Sequence, residues 1–274
     1  MIPAAFDYIE ADSADAAIAA LAEHGDDAKL LAGGHSLVPL MKFRLAAPSV
    51  LVGIGNLDDL SYINDGGDHV AIGALTKHHA VQHSDLLRTE APILAHVAGQ
   101  VGDPQVRHRG TLGGSLAHGD PASDLPAALL ALGGSVVIRG PRGEREVAAT
   151  DFFTGFLETA LEPDELLTEV RVPKAAGAGW SYQKFNRRAQ DWAIVGVAAV
   201  GGDVNQVALV NMGPTPMRSA AVEAALASGS SAADAAAVAA EGTSPPEDLN
   251  GDTDYRSHLA RVLVGRALSE AGVS

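Results

Sequence analysis

Two glycine-rich segments constrain this chain more than anything else in it: Leu31-Ala32-Gly33-Gly34-His35-Ser36-Leu37-Val38-Pro39 and, about 75 residues on, Gly110-Thr111-Leu112-Gly113-Gly114-Ser115. Glycine permits positive φ and lets amide N–H groups approach an anion with no Cβ in the way. The first segment lies between a predicted short strand, Ala28 to Ala32, and a predicted helix, His35 to Arg44. A strand-to-helix turn of that kind aims several amides at one point, which suits a diphosphate; the plainer reading is a tight turn. Two such segments, each followed by small or hydroxyl residues, point to one long cofactor gripped at two places. Gly53-Ile54-Gly55 comes closest to a dinucleotide fingerprint, but Asp58 stands where the third glycine belongs, and no Walker A pattern occurs.

Composition narrows the classes. The 274 residues, 47% of them hydrophobic, suffice for one large or two modest domains with a substantial core. There is no cysteine, which excludes disulfides, thiolate zinc sites, cysteine-ligated iron–sulfur clusters and a cysteine nucleophile within the chain. The net charge of −15 argues against nucleic acid or an anionic membrane as partner, so an anionic cofactor must be held by local amides and a few basic residues. The stretch Met1 to Asp7 has no basic region or apolar run of signal length, and no segment approaches the ~20 apolar residues of a membrane span. A cytoplasmic protein is expected.

The pattern alternates strands and helices. Ser13 caps a helix from Ala14 to Glu23; Leu51 to Ile54 and His69 to Ala74 read as strands; Leu94 to Val101 reads as a helix broken by Gly102-Asp103-Pro104. Ala122 to Leu132 is a predicted helix, Ser135 to Ala148 a hairpin turning at Gly140 to Gly143, and Leu166 to Val172 a strand. The small residues 174–179 mark a boundary. Beyond it Ser181 to Asn186, Ala193 to Val200 and Val204 to Met212 read as strands, and Met217 to Ala227 and Asp254 to Ala271 as helices. Periodicity does not decide 228–240, and the acidic 241–254 reads as an exposed connection.

Several side chains offer chemistry. Asp120 or Asp124 suits a carboxylate facing a heteroaromatic N–H, or a helix cap before Ala127. His118, Asp120 and Asp124 at H-x-D spacing supply imidazole and carboxylate donors, which makes a stand-alone metallohydrolase the alternative reading. His79 and His83, four apart, suit one helix face and a zinc ion, or surface coincidence. Lys184, Arg187 and Arg188 form a basic cluster; Trp192 is a core residue or a stacking platform. No serine lies in a G-x-S-x-G context, so a hydrolase triad is not supported.

Five runs carry a family resemblance: LLAGGHSLVPLMKFRLAAPSVLVGIGNL, IGALTKHHAV, VGDPQVRHRGTLGGSLAHGDPASDLPA, FNRRAQDWAIVGVAA and DTDYRSHLARVLVGRAL. Together they span nearly the whole chain and resemble the FAD-binding medium subunit of the molybdenum hydroxylases, the carbon monoxide dehydrogenase and xanthine dehydrogenase relatives. The resemblance implies an α+β protein: a vanillyl-alcohol-oxidase-type FAD-binding fold of two α/β subdomains (1–57 and 58–174) plus a C-terminal α+β domain (175–274). By that likeness Ala32, Gly33, Gly34, His35 and Ser36 wrap the diphosphate, with Leu31 and Leu37 flanking them. Gly110, Thr111, Gly113, Gly114 and Ser115 form a second clamp, Ser115 replacing an asparagine common there. Thr76 falls in a cofactor-contacting segment, Asp124 approaches the flavin and its sugar chain, Leu166 lines the isoalloxazine pocket, and Lys184 and Trp192 lie near the ring.

The same likeness implies a division of labour. A large partner subunit binds molybdopterin and oxidises the substrate, carbon monoxide by nearest overall likeness; a small partner carries two [2Fe–2S] clusters; this subunit passes electrons through FAD to an external acceptor. A dimer of heterotrimers follows, with no metal and no general acid, base or nucleophile of this chain's own. Gly34→Val or Gly113→Val is expected to abolish FAD retention, checked by the flavin absorbance of the purified variants.

Overall fold

The computed structural model describes residues 2–202 and 205–273. Met1, Val204 and Ser274, at which expected segments begin or end, lie outside these.

The N-terminal part alternates strand and helix: β1 (Asp7–Glu10), α1 (Ala14–His24), β2 (Ala28–Leu31), α2 (Leu37–Lys42) and β3 (Val50–Gly53). The three strands are parallel in the order β1-β3-β2, so each connection needs a crossover. Ser13 caps α1, its Oγ accepting from the Ala16 amide at 3.2 Å, and Ile18 and Leu21 bury one face against Val50 and Val52. Helix α2 is shorter than the pattern suggested. His35 and Ser36 remain in the turn, because Gly34 at φ +77° redirects the chain before it winds.

The middle part contains β4 (Ile63–Asp65), β5 (His69–Gly73), α3 (His78–His83), α4 (Asp85–Glu90), α5 (Pro92–Gln100), α6 (Pro104–Arg109), α7 (Leu112–His118), α8 (Asp124–Ala131), β6 (Ser135–Gly140), β7 (Gly143–Ala148), α9 (Ala149–Phe152), β8 (Phe153–Gly155), β9 (Glu158–Thr159) and β10 (Leu166–Pro173). Its main sheet is antiparallel, ordered β4-β5-β10-β6-β7, and the expected hairpin is β6–β7. Helices α5 and α8 cover the sheet with fully buried Leu94, Val97, Leu125 and Leu129. The short helices α3, α4, α6 and α7 were not separable by periodicity, since six or seven residues give less than two turns of pattern.

The C-terminal part is an antiparallel sheet, β11 (Trp180–Phe185), β12 (Val195–Val200), β13 (Gln206–Val210) and β14 (Met217–Arg218), with α10 (Ala220–Ala227), α11 (Ala232–Ala237) and α12 (Thr253–Glu270). The segment expected as one helix from Met217 first pairs Met217 and Arg218 with β13 and winds only from Ala220. All six residues of β12 are buried. Val195, Val197 and Ala199 face Leu259, Leu263 and Val264, whereas Ala198 and Val200 belong to the core around α8. The sheet is thus clamped between α12 and α8, which fixes the C-terminal part against the middle one. No helix among the described residues is long and apolar enough to cross a membrane.

Candidate functional site

A cavity of about 750 Å³ opens where these three parts meet, within the range of cofactor sites. Sixteen of the seventeen expected cofactor residues line it: Leu31 through Leu37, Gly110, Thr111, Gly113, Gly114, Ser115, Asp124, Leu166, Lys184 and Trp192. Thr76 does not. It is buried behind the wall, its hydroxyl donating to Tyr62 O and accepting from the Tyr62 amide. Lys29, His78, Glu158 and Gln190 also line the cavity. Lys29 and Glu158 sit in no motif, and His78 and Gln190 lie within the resemblance runs with no residue pattern that singles them out.

The two glycine segments meet. A Cβ on Gly33 would lie 2.2 Å from Arg109 O and 3.0 Å from Gly110 Cα, so backbone packs directly on backbone. In the first segment the Val38 amide donates to Gly34 O. Among the described residues, the amides of Gly33, Gly34, His35, Ser36 and Leu37 donate to no protein acceptor. Five such N–H groups around a turn at positive φ make an anion-binding concavity.

The second segment is built differently from the expected loop. Thr111 caps α7, its Oγ1 accepting from the Gly114 amide at 3.1 Å, so Gly113 and Gly114 lie in a helical first turn. The Gly113 amide donates to Ala74 O (2.8 Å), Leu112 to Thr76 O (2.9 Å), and the His78 amide to Gly110 O (3.0 Å). These bonds zip the segment onto residues 74–78 and commit amides that were expected to meet an anion. Gly113 is required for close packing, since a Cβ would fall 2.5 Å from Ala74 Cβ, and not for positive φ. Ser115 Oγ shares a 2.9 Å hydrogen bond with Ser123 Oγ.

Opposite lies a buried charge pair. Asp124, the first residue of α8, accepts from Tyr182 Oη at 2.5 Å and from Lys184 Nζ at 2.8 Å; Lys184 also donates to Gln100 O at 3.1 Å. Both carboxylate oxygens are therefore held by β11. Burial pushes the Asp124 carboxyl up, against the pull of Lys184 and the Tyr182 hydrogen bond; burial and then Asp124 push the Tyr182 phenol well above its ordinary value. Leu166 is buried where β10 begins, and Trp192 stands at the rim, 57% exposed.

The metallohydrolase alternative is not supported. His118 Nε2 and Asp120 Oδ2 are 4.0 Å apart, Asp120 Oδ1 accepts from the Ala122 amide, and Asp124 is paired as described. His79 does lie over His83, with ring centroids 4.2 Å apart, and stacks on His108 at 4.0 Å. Yet no group of three or more His, Cys, Asp or Glu among the described residues is arranged to hold a metal.

Comparison with known proteins agrees with this geometry. The family model described as the FAD binding domain in molybdopterin dehydrogenase matches residues 4–175, and that of the CO dehydrogenase flavoprotein C-terminal domain matches residues 180–271. The chain belongs to the FAD-binding medium subunits of the molybdenum hydroxylases, flavoprotein components of multi-subunit oxidoreductases. It is 42% identical to the carbon monoxide dehydrogenase medium chain of Hydrogenophaga pseudoflava, over 99% of this chain and 98% of that one. It is 38% identical to the 6-hydroxypseudooxynicotine dehydrogenase complex subunit alpha of Paenarthrobacter nicotinovorans, over 99% and 96%. The solved carbon monoxide dehydrogenase of Hydrogenophaga pseudoflava that lacks the Mo-pyranopterin moiety superposes with a TM-score of 0.96 at 43% identity, covering 99% of both chains.

Asp124→Asn should cost about 3–5 kcal/mol in urea unfolding, because Lys184 is left buried without its counter-charge, and Asp124→Asn with Lys184→Met should recover much of it. A second expectation concerns His78, whose imidazole burial pulls down from 6.5 to about 4. Between those values the unfolded chain binds the proton and the folded chain does not. The His78 contribution is therefore complete above pH 6.5 and declines as pH falls toward 4, by about 3 kcal/mol. The unfolding free energy of the chain minus that of His78→Gln should fall by about 3 kcal/mol between pH 6.5 and pH 4.

Proposed function

We propose that this chain is the electron-transfer subunit of a three-subunit molybdenum-dependent dehydrogenase of the carbon monoxide dehydrogenase type. It receives electrons from [2Fe–2S] clusters of a small partner and delivers them to an external acceptor, while a large partner binds molybdopterin and the substrate. A dimer of these heterotrimers in the cytoplasm completes the reading. The absence of cysteine supports it, since any thiolate-held cluster must come from another chain. The proposed organisation is two FAD-binding subdomains, 1–57 and 58–174, and a C-terminal domain, 175–274.

The observation that carries the reading is the row of free amides from Gly33 to Leu37, on residues that line the cavity. They suit a diphosphate in a chain whose overall charge repels anions. Leu31 and Ala32 lead the backbone into that turn. Gly110, Thr111, Gly113, Gly114 and Ser115 contribute close approach and hydroxyls, with Thr76 bracing them from behind. Leu166 gives a flat ring an apolar wall. Lys184 and Tyr182 hold the Asp124 carboxyl aligned at the same wall, and Trp192 shields the rim from water. When bound, FAD supplies the redox chemistry, accepting electrons singly and releasing them in pairs; the protein supplies position and electrostatics.

The test is spectroscopic. Chain purified with its partner subunits should be yellow, with flavin absorbance near about 450 nm that substrate bleaches. The chain alone should take up FAD but stay unbleached by substrate. Colourless protein that ignores added FAD, or bleaching without partners, refutes the proposal.

A further inference from the structure

His78 is a buried titratable group in the cavity wall to which the proposed function gives no work. It opens α3, directly after the residues zipped to Gly110–Gly113, and its own amide completes that zipper. The side chain is 4% exposed, yet it belongs to the cavity wall. Nδ1 is sealed in with no hydrogen-bond partner among the described residues. The other edge of the ring lies against Gly110, where an added Cβ would come within 2.7 Å of both Cδ2 and Nε2. Gly110 in turn packs on Gly33. The imidazole therefore stands beside the junction of the two glycine segments, with Nε2 on the Gly110 side.

The surroundings set its state. Burial, reinforced by His35, Lys77 and Arg107, keeps the ring neutral at physiological pH, and a neutral imidazole has a single N–H. A proton on Nδ1 would have no acceptor and would incur the desolvation cost of an unsatisfied buried donor. On Nε2 it sits at the ring edge that lies against Gly110, in the cavity wall. Gly110 is consequently a glycine for a side-chain reason: any Cβ there would cover the one ring nitrogen able to meet a ligand.

We propose that His78 is a cofactor-binding residue, its Nε2–H donating to a diphosphate oxygen of bound FAD beside the free amides of Gly33 to Leu37. This rests on the FAD reading above. It gives the grip a side-chain component from the middle part of the chain, where the amides of the second glycine segment are already committed.

The experiment uses the full-length chain, with FAD and ADP-ribose as probes; the latter carries the diphosphate and no flavin. Titration calorimetry is run on the parent, His78→Leu and His78→Gln. Glutamine can set an amide N–H near the place of Nε2, so it should bind both probes within about threefold of the parent. Leucine should weaken both by about 10- to 100-fold, the loss of one hydrogen bond to a charged acceptor. Nitrogen-15 histidine spectra of the parent, with His78 assigned from the glutamine variant, should show a protonated Nε2 that shifts when either probe is added. If His78→Leu does not fold, these spectra and the glutamine variant decide. Equal losses in both variants, no loss in either, a proton on Nδ1, or a His78 signal unmoved by ADP-ribose overturns the proposal while leaving FAD binding intact. A parent chain that binds neither probe overturns the FAD reading and this proposal with it.

Discussion

The contact on which the rest depends is backbone against backbone, Gly33 on Arg109 and Gly110. No side chain fits between them, so the parallel β1-β3-β2 unit and the middle part approach as closely as two chains can. That approach turns a surface turn into the floor of a cavity. It also explains a division of labour between two segments that look alike. The first keeps its amides free. The second commits its amides to Ala74 and Thr76 and to its own helix, becoming the rigid wall against which the first is held. A cradle needs both: unsatisfied donors tolerate exposure to a cavity, but something fully bonded must keep them from collapsing onto one another.

The C-terminal part closes the cavity through a different force. Its sheet is buried on both faces, and along the join with α8 lies the Asp124–Lys184–Tyr182 cluster. A buried ion pair is weak evidence for stability, because desolvating both charges offsets most of their attraction. Its effect here is on register. Tyr182 and Lys184 sit two apart on β11 and reach the two oxygens of one carboxylate, so sliding the strand by one residue would leave a charge unpaired at the cavity wall. The strand that continues toward Trp192 is thereby fixed relative to α8 and the glycine segments.

Charge distribution follows the same logic. A chain at net −15 does not attract an anionic cofactor by its long-range field. What it offers is local: five amides, a neutral imidazole and a lysine whose charge already answers an aspartate. Short-range dipoles in a partly desolvated cavity act more strongly than the same groups in water, so a globally acidic protein is no obstacle to holding a diphosphate.

The amino-acid sequence by itself determined most of the elements and a set of cofactor residues of which all but Thr76 line the cavity. Glycine pairs, the Ser13 cap, the β6–β7 turn and the six-residue apolar run of β12 are local signals, readable because each is set by sterics or periodicity within a few residues. The family likeness carried the position of Leu166, Lys184 and Trp192, which no local rule would have joined to Gly33. Only the tertiary structure decided that Gly113 is a packing glycine, that Thr76 braces the wall without lining it, that Asp124 faces Lys184 and Tyr182, and that His118, Asp120 and Asp124 form no ligand set. Those outcomes turn on which backbone comes within 3 Å of which. Such contacts join residues tens of positions apart, and neither spacing nor periodicity along the chain encodes them.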